Sequence, residues 1–337
     1  LCRHVLSRDL LRRALAFGYL LLPAVSLAFT SVPLLFLTVL TWRGVPVIYH
    51  KSDLIATFLG AGFFYFWARR EAGGSRWWLL QAAACLLISL SLGSPRAAMV
   101  GIAAVTFIWL LARRFRLLGF QLGILAGVVA IGVPALYLLD EDVRQSKGYS
   151  IYEHAISIFD LEGTGVYLHA ETGDPGGNNR FRLVWWRTVV DQTLGQSPVF
   201  GLGFGADLAA RFVAEYDQLG EDFSTRSPHS VIMTAFGRTG ALGLALFLAI
   251  AVMMARNTRT AFRRLDFPAM GLWSGVWMLW FSACFGVVLE GPMGAVLFWS
   301  MLGMANDAVR PVEAPEPASA AAALQPAELA GQMAVSP

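Results

Sequence analysis

Residues 117–139 read LLGFQLGILAGVVAIGVPALYLL, 23 positions without a charged side chain. A run of that length matches the ~20 mostly apolar residues that an α-helix needs to cross the ~30 Å hydrocarbon core of a bilayer. A spanning strand would alternate polar and apolar positions. This run does not, so helices are expected.

Comparable apolar windows recur on both sides. Upstream they cover Ala14–Leu40, Asp53–Trp67, Trp77–Leu92 and Ala97–Ala112. Downstream they cover His229–Ala255 and Ala269–Ala305, the last divided into a hairpin by Glu290-Gly291-Pro292. Pro23 and Pro33 would allow the first window to form two shorter pieces, but splitting it would invert everything after it. With one span there and a cytoplasmic N-terminus, the connectors holding Arg69, Arg70 and Arg76, then Arg113, Arg114 and Arg116, then Arg256 to Arg264, all fall on the cytoplasmic side. That is the side on which basic connectors accumulate. The expected fold is therefore an all-α, polytopic membrane protein with about eight transmembrane helices and one large extracytoplasmic loop.

Four regions follow. Residues 1–139 form an N-terminal transmembrane bundle of about five spans, expected to be N-terminally incomplete because the chain starts at Leu1. Residues 140–228 form the extracytoplasmic loop with an amphipathic helix, and 229–310 the C-terminal transmembrane helices. Residues 311–337, rich in Ala, Pro and Glu, read as a disordered tail.

Composition excludes a soluble domain: 56% of the 337 residues are hydrophobic and 15% charged, with mean hydropathy +0.56. The net charge of +3 sits largely in short connectors, which marks topology rather than a nucleic-acid face. Cys2, Cys85 and Cys284 are far apart, so neither a disulfide framework nor a thiolate metal site is expected. No cofactor or bound metal is expected either.

The same topology places four pieces of candidate chemistry on the outer side. Arg96 follows Ser94-Pro95 and begins a span, where a guanidinium beside helix N-terminal amides can hold a phosphate. The structural alternative is a headgroup anchor. From Arg180 to Gln196 the spacing predicts a helix with Arg182, Trp185, Trp186 and Val189 at i, i+3, i+4 and i+7. Such a helix can lie at headgroup depth with its arginine toward a lipid phosphate, or be a surface helix whose arginine stacks on tryptophan. His229 opens a span, where the positive helix end keeps imidazole neutral and able to accept a proton; a plain capping role is the alternative. Arg238, two to three turns further on, is too deep to reach water easily and needs a partner or an aqueous cavity; Glu290 is a candidate partner, with a capping or turn role as its plainer reading. The glycines of Gly201-Leu-Gly-Phe-Gly205 read as a tight turn allowing close helix approach, since the dinucleotide pattern is absent; backbone amides that bind phosphate are the alternative.

In this order and spacing, Ser-x-Arg before a span, an Arg-x-x-x-Trp helix, Pro-x-x-Gly-x-Gly, and a His opening a later span with Gly-x-x-Gly beyond resemble the O-antigen ligase and polymerase family, from about Gly93 to Leu248. The resemblance implies a glycosyltransferase C-like architecture in the bacterial inner membrane with its site facing the periplasm. It implies a metal-independent, inverting transfer from an undecaprenyl-diphosphate-linked glycan to a saccharide or lipid A core acceptor. By the same resemblance Arg96 and either Arg180 or Arg182 contact the diphosphate, and His229 acts at the acceptor hydroxyl. The chain departs from the family pattern at Ser230, where Asn is usual, and at Arg238, where an acid is common. Two rival readings are a transporter or flippase of a lipid-linked sugar, and a metal-dependent transferase using Asp140 and Asp142.

Overall fold

The computed structural model describes residues 8–47, 51–92, 96–138, 142–168, 175–215 and 227–310. Ser94, Pro95, Asp140 and the tail after Arg310 lie outside the described residues.

Helix α1 (Arg8–Ser31) ends two residues before Pro33, and the rest of its apolar window becomes a short π-helical turn, Leu35–Val39. A two-residue antiparallel hairpin follows, β1 (Thr41–Trp42) with β2 (Val45–Pro46), turning at Arg43 and Gly44 with positive φ. Next come α2 (Ser52–Glu71), α3 (Trp77–Ser91), α4 (Arg96–Leu111) and α5 (Phe115–Leu138). The segment expected to be a loop carries α6 (Lys147–Ser157), α7 (Pro175–Gln196) and the short α8 (Ala210–Glu215). Helices α9 (Val231–Arg264), α10 (Phe267–Cys284) and α11 (Pro292–Ala308) complete the chain.

Two elements outgrow their expected bounds. α7 begins five residues before Arg180, and α9 runs through the arginines expected to form a loop, to Arg264. Amphipathic arginine side chains continue a helix readily, because their propensity is high and their heads stay in water. α9 also starts after His229 rather than at it, with Ser230 as N-cap accepting from the Met233 amide at 3.4 Å.

Three described helices, Leu10–Ser31, α5 and α9, are long and apolar enough to cross a membrane. Their apolar side chains mostly face outward: Leu125, Val129 and Ile131 of α5 are exposed. Bare apolar surface of that extent is stable against lipid and not against water. The chain is a membrane protein.

α10 is the centre of the bundle, packed on α2, α4, α9 and α11. Its side chains from Ala269 to Leu279 are buried. Hydrocarbon supplies no hydrophobic drive between helices, so association rests on close contact and polar bridges. Both are present. Gly60 and Gly101 admit Met278 so closely that a Cβ at either would collide with its thioether. Trp109 Nε1 donates to Ser274 Oγ at 2.9 Å, and Trp277 Nε1 to Thr258 Oγ1 at 2.9 Å.

The contacts also fix direction. Along α10, Gly271 lies against Ala68 of α2 and Met278 against Gly60, so the two helices are antiparallel. α4 is likewise antiparallel to α10, through Trp109 with Ser274 and Ser282 with the Ala97 carbonyl. One end of the bundle therefore gathers arginine-bearing connectors. There the Arg114 guanidinium stands 5.5 Å over the Phe267 ring, and Arg264 Nη1 donates to the Val309 carbonyl at 3.1 Å. The starts of α2, α4, α9 and α11 gather at the other end.

Candidate functional site

At that second end, Arg96 is the first residue of α4, and its Nη1 donates to Asn179 Oδ1 of α7 at 2.7 Å. Asn179 Nδ2 donates in turn to the Ser157 and Asp160 carbonyls at 2.7 and 2.8 Å. One amide thus closes the end of α6 onto α7 and orients a guanidinium. Arg182 lies three residues along α7, on the same helix face as Asn179. Its Nη1 donates to the Phe285 carbonyl at 2.8 Å, while its Nε is buried with no hydrogen-bond partner among the described residues. Burial pulls its pKa down, opposed by Asp53. Arg180 points the other way and is exposed.

α7 is held in place by its aromatic face. Trp185 is fully buried, stacked on Phe212 of α8 at 4.9 Å between ring centroids, with Nε1 donating to the Leu208 carbonyl at 2.8 Å. Trp186 Nε1 donates to the Pro228 carbonyl at 2.6 Å. Both indoles are satisfied inside the protein, so the headgroup-depth and arginine-stacking readings give way to a packed wall. Burying a large apolar side chain such as Trp185 contributes roughly 1.5–3 kcal/mol.

That wall positions His229, whose ring centroid is 6.1 Å from that of Trp185. His229 is half-buried, has φ 54°, and its ring has no hydrogen-bond partner among the described residues. The other non-glycine residues with positive φ, Arg43, Arg113 and Leu265, sit in a hairpin turn or just past helix ends. A left-handed residue directly before an N-cap is the unusual case, and such strain concentrates where side chains must be aimed. The imidazole pKa falls to about 4, chiefly by burial, then by repulsion from Arg182 and Lys51, against a smaller pull from Asp53. At neutral pH it is an uncharged proton acceptor.

Lys51 and Asp53, 3.6 Å apart at the start of α2, add a wall that the motif reading missed. The signal was present: Lys51-Ser52-Asp53 begins a helix at the same end as Arg96 and His229. Glu290 accepts from Thr234 Oγ1 at 3.3 Å. Burial raises its pKa, while the hydroxyls of Ser227 and Thr234, then Lys51 and Arg238, pull it down.

Arg238 does not pair with Glu290 among the described residues. Its Nη1 donates instead to the Phe204 carbonyl, at 2.6 Å, and more weakly to Ala206. The glycine loop explains why. α9 is broken at Gly240 (φ 63°, ψ −158°), which frees backbone groups on both sides of the break. Loop 198–203 takes them up: the Leu202 and Gly203 amides donate to the Gly237 and Arg238 carbonyls at 2.8 and 3.0 Å. The Ala241 and Leu242 amides donate to the Pro198 and Val199 carbonyls at 2.9 and 3.1 Å. Gly201 and Gly240 meet backbone to backbone, leaving no room for a Cβ on either. The glycines are thus a close-approach device, and the amides of Leu202 and Gly203 are already committed.

The structure therefore brings Arg96, Arg182 and His229 to one end of the bundle, with Lys51, Asp53 and Glu290 beside them and Arg238 behind. Two guanidiniums and an ammonium around a neutral imidazole can hold a multiply charged oxyanion and receive a proton next to it. Among the described residues, no three His, Cys, Asp or Glu side chains converge. Asp142, whose partner Asp140 lies outside the described residues, is exposed and caps a short turn through the Arg144 amide.

Residues 81–248 match the family model described as O-antigen ligase. The match spans Arg96, Asn179, Arg182, His229 and the Gly201–Gly240 junction. No curated protein matches the chain.

Proposed function

We propose, from the chain's membership of the O-antigen ligase family through residues 81–248, that it transfers a glycan from an undecaprenyl-diphosphate-linked donor to a sugar hydroxyl. It does so at the periplasmic face of the bacterial inner membrane, by one inverting displacement without a metal ion. Eight spans with the arginine-bearing connectors in the cytoplasm give that orientation. The observation that carries the reading is the bond from Arg96 to Asn179 of α7, three residues before Arg182, whose charge in turn acts on the His229 ring.

In the transfer, the acceptor oxygen attacks the anomeric carbon, and the bond from that carbon to the diphosphate oxygen breaks with its electron pair leaving on phosphate. Arg96 and Arg182 stabilise the departing charge; the unpartnered Nε of Arg182 offers a second donor for a forked grip. His229 takes the acceptor proton. Lys51, Arg238 and Glu290 set the surrounding field.

The acceptor is a saccharide: a growing polysaccharide in a polymerase or the lipid A core in a ligase, with the Ser230 and Arg238 departures leaning to the polymerase. Ser230 serves the N-cap that Asn would also serve, so that departure costs the fold nothing.

The test is purified full chain with lipid-linked donor and acceptor saccharide. His229→Asn, whose side chain tolerates positive φ, should abolish product while donor binding persists. Full transfer by that variant would remove His229 from the chemistry. Donor crossing of the bilayer without product, unchanged by the substitution, would make the chain a flippase.

A further inference from the structure

We infer that the arginine-bearing end of the bundle holds an anionic phospholipid, in a groove between α4, α9 and α10 on the far side from the transfer site. The groove has a volume of about 660 Å³, within the ~300–1,000 Å³ range of small-ligand sites. Its walls are apolar side chains, among them Ile108 and Leu111 of α4 and Trp277 and Phe281 of α10. Arg259 and Arg263 of α9 line it too, one turn apart on one helix face, and both are exposed.

Three observations select this occupant. Among the described residues, the only ionisable side chains lining the groove are those two guanidiniums, so the groove is apolar along its walls and positive where the arginines stand. That is the charge and shape complement of an acyl chain ending in a phosphate, and two forked donors grip phosphate better than they grip a zwitterion. The wall is also internally satisfied: Trp277 Nε1 is bonded to Thr258 Oγ1, and Thr258 Oγ1 to the Met254 carbonyl at 2.7 Å. Nothing polar in the wall asks for a peptide or sugar. Finally, Arg114 stands on the Phe267 ring and Arg264 on the Val309 carbonyl, whereas Arg259 and Arg263, the two that line the groove, have no protein partner among the described residues.

Lipid in this groove bridges α4 to α9 and α10, the helices whose opposite ends carry Arg96, His229 and the Phe285 carbonyl. The inference does not depend on the transfer reaction.

The test uses the full chain in nanodiscs of pure phosphatidylcholine, titrated with phosphatidylglycerol bearing brominated acyl chains. Bromines in the groove should quench Trp277, read as the difference in quenching between wild type and Trp277→Phe. Arg259→Gln/Arg263→Gln should raise the half-saturating phosphatidylglycerol fraction at least tenfold, with thermal unfolding in pure phosphatidylcholine unchanged. Ala112→Phe, which keeps both arginines and fills the mouth, should abolish the Trp277-specific quenching. Brominated phosphatidylcholine quenching Trp277 as well as brominated phosphatidylglycerol would overturn the inference, as would wild-type titration in the double variant. Retention of a second copy of the chain at this face would overturn it too.

Discussion

Arg96 and Asn179, 83 positions apart in sequence, meet at 2.7 Å, and this bond fixes the start of α4 against the start of α7. A charge-assisted bond of this kind is worth roughly 1.5–3 kcal/mol. Asn179→Ala should therefore lower transfer by about 10- to 100-fold, read as product formed per minute at saturating donor. An unchanged rate would mean that Arg96 reaches its working position without α7.

Arg180 and Arg182 separate by orientation. Arg182→Lys replaces a fork with a point charge beside His229, and the dissociation constant for lipid-linked donor should rise about tenfold or more. Arg180→Lys, at an exposed position, should stay within about twofold. Binding of labelled donor to the two variants in detergent checks both. Equal losses would sink the assignment.

The pH dependence has a definite sign. His229 is depressed to about 4, so free enzyme should keep its proton acceptor until pH falls near 4, giving kcat/KM an acid limb there. Bound diphosphate offsets Arg182 and Lys51, so the limb in kcat should lie higher. Lys51→Met should move the kcat/KM limb upward by removing one repulsion. For stability, the unfolded imidazole takes a proton from about pH 6.5 downward while the folded one does not until about 4. Thermal stability should thus fall through that window as pH drops, and less so in His229→Asn. A limb that ignores Lys51 would show that the ammonium does not reach the imidazole.

Gly201→Ala and Gly240→Ala each force a Cβ into backbone at a positive-φ position. Each should cost about 3 kcal/mol or more, seen as a lowered midpoint in thermal unfolding. Gly205→Ala, with open space around it, should be neutral. Tolerance of alanine at position 240 would mean that α9 can straighten.

The fold was legible where hydrophobic length decides it. Apolar windows and their basic connectors give helix positions and directions, because lipid forces every backbone group into a helix. The placement of Arg96, Arg182 and His229 at one end of the bundle was legible, since each is a costly charge or titratable group next to a span. Asn179 was not, because its value lies in an acceptor offered to a residue 83 positions away, which local pattern cannot register. The break at Gly240 was hidden as well: Gly237-Arg-Thr-Gly240 reads as continuous helix until loop 198–203 supplies the missing backbone partners. The partners of Arg238 were hidden for the same reason, as its acceptors are carbonyls and leave no trace in side-chain identity.

The junction of loop 198–203 with α9 is made from peptide groups, while Val199, Phe200 and Phe204 stand in the open. Main-chain anchoring of this kind is indifferent to what its side chains say. Phe200 and Phe204 can be exchanged without unseating the helix that follows His229, so a few exposed letters can be rewritten around an unaltered frame.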